Sequence, residues 1–93
     1  MVEQSSDSLQ EVIKNAFEKS PVIYANGFVN GLGTADVYVV LQLNSQNVAV
    51  LNMSHSMAKT LAQSLIDQVS RYEELTGQRV PTLQELGRFG EKP

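Results

Sequence analysis

Residues 35–53 read ADVYVVLQLNSQNVAVLNM, two aliphatic runs divided by Asn44, Ser45, Gln46 and Asn47. Along an extended chain successive side chains point to opposite faces. Val37, Val39, Leu41 and Leu43 therefore share one face and Asp36, Tyr38, Val40 and Gln42 the other, so both faces are at least partly apolar. Asparagines between the runs bond their own backbone or tolerate left-handed conformations, which suits a tight turn. A further extended run precedes them, and the spacing predicts a three-stranded antiparallel meander over 22–29, 35–43 and 47–53.

The link between the first two runs, NGFVNGLGTAD from Asn26 to Asp36, holds three of the chain's six glycines. A phosphate-cradling loop needs glycine-rich backbone facing the first turn of a following helix, often with a lysine close behind. Here Gly27, Gly31 and Gly33 match neither glycine spacing of such loops, an extended run follows, and no lysine lies between Lys19 and Lys59. The stretch reads instead as a hairpin bend. Asn30-Gly31 is a strong turn dipeptide, Gly33 offers a second site free to take positive φ, and Gly27 marks a bulge or a close backbone approach.

Helical spacing appears on both sides of the meander. Leu9, Val12, Ile13, Ala16 and Phe17 make a short amphipathic stripe, with Ser8 and Glu11 at capping-box spacing and Pro21 as the stop. From His55 to Leu75, Met57, Ala58, Leu61, Ala62, Leu65, Ile66, Val69 and Tyr72 form a longer stripe. Ser54 is placed to cap this helix and Gly77 to close it. Thr82 and Glu85 repeat the capping-box spacing and predict a short third helix. The expected organisation is a flexible leader over 1–7, a single α+β domain over 8–88 with the long helix on one sheet face, and a flexible tail over 89–93.

A 93-residue chain buries only about 60–65% of its unfolded surface, so its core is thin. It has no cysteine, so disulfides cannot supplement that core, and a reducing compartment fits. No apolar run approaches the ~18 residues needed to cross a bilayer, and the N-terminus is polar and acidic where a signal peptide is basic and then apolar. These features point to a cytoplasmic protein with no membrane contact.

The net charge is −3, yet from Ser20 to Met53 the only charged side chain is Asp36. Five bases beyond residue 54, Lys59, Arg71, Arg79, Arg88 and Lys92, are matched by five acids, which argues against a nucleic-acid partner. Metal sites need converging His, Cys or carboxylate ligands, and a lone His55 with no cysteine does not supply them. Glu73 and Glu74 diverge by about 100° as neighbours on a helix. No cofactor, metal or catalytic group is expected.

Three readings follow. The first is a non-enzymatic interaction or assembly module, a homo-oligomer built through Phe28, Tyr38 and Val40 or through an uncharged edge strand, pairing with a second copy or another protein. The second is an enzyme or small-ligand binder using Asn26, Asp36, Asn52 and His55 in a pocket between sheet and helix. There Asp36 is either solvated at a strand start or buried with a raised pKa. The third is a nucleic-acid-associated regulator, which the neutral charge balance disfavours.

The order Tyr24-Ala25-Asn26-Gly27-Phe28, Ala35-Asp36-Val37, Leu51-Asn52-Met53-Ser54 and Ala58-Lys59-Thr60-Leu61 resembles a family of short bacterial and archaeal proteins catalogued as a domain of unknown function. The similarity covers roughly residues 22–77. Tyr24, Asn26, Asp36, Ser54 and Lys59 match its pattern, while His55 stands where many relatives carry proline and the N-terminal helix has no counterpart. The resemblance implies an α+β fold and no mechanism.

Overall fold

Six elements follow one another along the chain in a computed structural model that describes residues 6–90. They are α1 (Ser6–Lys19), β1 (Gly27–Leu32), β2 (Val37–Leu43), β3 (Gln46–Met53), α2 (His55–Thr76) and α3 (Leu83–Gly90). The class is α+β, with one three-stranded antiparallel sheet in the order β1-β2-β3. The chain divides into two compact units, Met1–Asn52 and Met53–Pro93, with the boundary at the end of β3. Among the described residues no helix is long and apolar enough to cross a membrane.

In the first unit, α1 begins at Ser6, so Ser8 lies inside the first turn and does not cap it. The rest of the expected leader, and the tail beyond 90, lie outside the described residues. Lys19 sits in the last turn, where a cation complements the helix dipole. The Ser20 N–H still bonds the Ala16 carbonyl at 2.9 Å. Pro21 then has no N–H to continue the ladder.

The strand pairing corrects the expected turn. β1 runs antiparallel to β2 from Gly27 opposite Gln42 to Leu32 opposite Val37, so Asn30 and Gly31 are strand residues facing Val39 and Tyr38. Neither is in a turn. The bend is Gly33–Asp36, closed by the Gly33 N–H donating to the Asp36 carbonyl at 2.7 Å. Gly31 is glycine for another reason, because a Cβ there would overlap Cε2, Cζ and Oη of Tyr38. Gly33 does not adopt positive φ. A Cβ on it would come 2.8 Å from Asp36 Oδ1 and 3.0 Å from the Asp36 carbonyl oxygen, so crowding rather than handedness calls for glycine. Residues 22–26 are not strand, since beyond Gly27 the partner β2 is about to end at Leu43.

The second connection is tighter. Asn44 and Ser45 take φ 51° and 70° and join β2 to β3 in two residues. Positive φ at both central positions is the turn whose twist matches a hairpin.

In the second unit, Ser54 caps α2 with φ −65° and ψ 161°, its Oγ accepting the Met57 N–H at 3.1 Å. Gly77 closes the helix at φ 70°, ψ 14°, donating its N–H to the Glu73 carbonyl at 2.8 Å. A short link then leads to α3, whose first turn is held by Thr82 and Glu85.

No described residue is buried. Leu9, Val12, Ile13 and Phe17 of α1 are exposed, as are Met57, Leu65, Ile66, Val69 and Tyr72 of α2.

Candidate functional site

Paired residues in an antiparallel ladder share a face, and this sorts the apolar side chains of the sheet. Phe28 pairs with Leu41 and Leu32 with Val37, so these four lie with Val39 and Leu43 on one face. Val29 pairs with Val40 and Gly31 with Tyr38 on the other. Phe28, expected beside Tyr38 and Val40, is therefore on the opposite face. Its even-numbered position in β1 meets an odd-numbered position in β2, which the alternation within one strand does not reveal. Phe28, Leu32 and Tyr38 are all exposed, at 58%, 81% and 42%. Both faces carry uncovered apolar surface.

Two members of the expected polar site, Asn26 and Asp36, are held apart by the hairpin. Asn26 precedes β1 at one end of the β1–β2 hairpin, and Asp36 lies in the bend at the other, opposite Gly33 and roughly 24 Å away at ~3.4 Å per residue. β3 runs back toward the Asp36 end and carries Asn52 there. His55 opens α2 in the second unit. Asp36 is half-buried, and its carbonyl closes the bend while its carboxylate stands over Gly33. Among the described residues no three His, Cys, Asp or Glu side chains converge to hold a metal ion.

Asn26 has a different set of neighbours. Its Nδ2 donates to Asn44 Oδ1 at 3.0 Å, its Oδ1 accepts the Asn44 main-chain N–H at 2.9 Å, and its own N–H bonds the Gln42 carbonyl at 2.9 Å. The side chain thus acts as one more rung beyond the last main-chain pair, tying the start of β1 to the β2–β3 turn. Nearby, Gln42 Nε2 donates to Asn47 Oδ1 at 2.9 Å. The concentration of amides in an uncharged segment was the visible signal. Which amides meet depends on register, and register is not written in composition. Carboxamides do not ionise near neutral pH, so this cluster supplies no acid or base and fixes backbone.

In the second unit, an open depression of about 460 Å³ at the end of α2 is lined by Ser70, Glu73, Glu74, Gly77, Gln78 and Arg79. Two of its charged groups are engaged by the chain itself. Glu73 Oε2 accepts the Val80 N–H at 2.7 Å, and Arg79 pairs with Glu85. Glu85 also completes the cap of α3: its Oε1 accepts the Thr82 N–H at 2.9 Å, and its own N–H bonds Thr82 Oγ1 at 3.2 Å.

The Thr82 main-chain bond and then the Arg79 guanidinium hold the Glu85 carboxyl below its ordinary value. A lowered folded pKa contributes stability above the unfolded value, and the contribution is lost as pH falls through the folded one. Acidification below the ordinary carboxylate range is therefore expected to open the α3 cap. In a proton NMR titration the Thr82 amide should shift together with Glu85 protonation, and a Glu85→Gln variant should remove that shift.

Comparison with protein-family models, curated proteins and solved structures finds no match for this chain.

Proposed function

We propose that this chain is a non-enzymatic assembly module, acting in the cytoplasm, that associates with further copies of itself through the apolar surface of its sheet. The supporting observation is that no described residue is buried although Phe28, Val29, Leu32, Val50 and other large apolar side chains are more than half exposed. Fully burying one such side chain contributes about 1.5–3 kcal/mol. A whole domain has a net stability of only about 5–15 kcal/mol, so covering a few of them decides whether the fold persists. The low charge of 20–53, where Asp36 is the one charged side chain, favours a like partner, because two copies repel little across this segment.

Light scattering coupled to size exclusion tests the reading. A mass at an integral multiple of 10.2 kDa, two or more, is expected at micromolar concentration. A folded species of 10.2 kDa at every concentration would contradict it.

A further inference from the structure

Resting on the self-association reading, we infer that β3 is the contact edge, and that two copies join β3 to β3 antiparallel about a two-fold axis centred on Ala49. The two-residue turn sets the outward groups of this strand. It makes Leu43 and Gln46 the first hydrogen-bonded pair of the hairpin, so along β3 the main-chain groups of alternate residues from Gln46 face β2. Those of Asn47, Ala49 and Leu51 face outward, and no strand lies beyond them among the described residues.

An edge of this kind is normally blunted by lysine, proline, a bulge or an inward charge. β3, the longest strand at eight residues, reads QNVAVLNM and has no charge, proline or glycine. The other edge, β1, is interrupted by Gly27 and Gly31, and glycine weakens strand pairing.

A two-fold contact sets each residue against its own copy or a nearby one, so a strand that pairs with itself must tolerate self-juxtaposition. A charge at the centre would face an identical charge. Centring on Ala49 places Ala49 opposite Ala49, Val48 opposite Val50, Gln46 opposite Asn52 and, as its one polar–apolar pairing, Asn47 opposite Leu51. Small meets small, β-branched meets β-branched and amide meets amide. Centring on Val50 would give two such pairings, Val48 against Asn52 and Asn47 against Met53. Because the axis stands perpendicular to the sheet, each apolar face continues from one copy into the next, giving one six-stranded sheet.

The chain has no cysteine, so a single introduced thiol reports its own neighbour. Hydrogen-bonded partners in an antiparallel pair stand about 5.5 Å apart at Cα, within disulfide reach. Under mild oxidation Ala49→Cys should run mainly as a covalent dimer that reductant abolishes, whereas Val29→Cys on β1 should stay monomeric on the same gel. Ala49→Pro should reduce the native mass to that of one chain. Its lost N–H faces outward, so the intramolecular ladder is kept. Ala49→Lys gives a second route, setting ammonium against ammonium. Cross-linking through Val29→Cys in preference to Ala49→Cys, or an oligomer that survives both Ala49→Pro and Ala49→Lys, would overturn the β3 contact and leave self-association standing. A monomeric wild-type chain would remove both.

Discussion

Gly31→Ala is expected to destabilise the sheet by about 1–3 kcal/mol, the usual cost of forcing a side chain into occupied space. The added methyl has to displace the Tyr38 ring, which lies across the glycine from the neighbouring strand. The ring is itself 42% exposed, so part of the overlap can be relieved by its swinging toward solvent, which sets the cost toward the low end of that range. Denaturant unfolding at a fixed protein concentration measures the loss, because association makes apparent stability concentration-dependent. The diagnostic is a double-mutant cycle. In a Tyr38→Ala background the same Gly31→Ala change should cost markedly less, since the space is already empty. Equal costs in the two backgrounds would show that the glycine answers some other demand. An alanine at Gly87, where an added Cβ meets nothing within 4 Å, is the matching control.

Asn26→Ala is expected to cost about 1–3 kcal/mol, the net of two neutral hydrogen bonds at ~0.5–1.5 kcal/mol each. Both run to Asn44, at 3.0 and 2.9 Å, and one of them satisfies the Asn44 main-chain N–H. Hydrogen exchange gives the sharper readout: protection of the Asn44 amide should fall in Asn26→Ala before that of mid-strand amides. Asn26→Asp separates the two bonds. Its carboxylate can still accept from the Asn44 N–H but cannot donate to Asn44 Oδ1, so it should retain part of the protection. Asn44→Gly keeps the positive φ of the turn while deleting the side-chain bond. If Asn44→Gly left exchange and stability unchanged, the side-chain rung would have no energetic weight.

These two residues also show how far the sequence could be read. The alternation of Val37, Val39, Leu41 and Leu43 is a property of one strand, and that face survives in the structure. The caps of α2 and α3 are equally local, and Ser54, Gly77, Thr82 and Glu85 each act within four residues of their partners. The β1–β2 turn is different. Asn30-Gly31 has the stronger local preference, yet the observed bend lies at Gly33–Asp36, where Tyr38 can lie over Gly31 and Asn26 can reach Asn44. A two-residue turn at Asn30-Gly31 would set Val29 opposite Leu32, whereas the structure sets it opposite Val40, a slide of eight residues. An even slide leaves each side chain on its own face. The two faces of β2 were thus legible, while the face on which Phe28 lies and the cross-strand neighbours were not. Asn26 and Asp36 were paired in expectation because they flank a glycine-rich stretch, and register then sent them to opposite ends of the hairpin.

The connections within the sheet bear on the order of events when the chain is made. One bend occupies Gly33–Asp36 and the other only Asn44 and Ser45, so each strand pairing closes a short loop. Hairpins of this kind form in about 1–10 μs. Encounter between copies, at a typical protein association constant of ~10⁵–10⁷ M⁻¹s⁻¹, takes far longer at micromolar concentration. On the proposed self-association, each newly made sheet would wait for its partner with apolar surface uncovered, and the interval would shorten as the chain accumulates. Expression level would then control the lifetime of the exposed species, and dilute chains would be the ones a protease or a chaperone meets first.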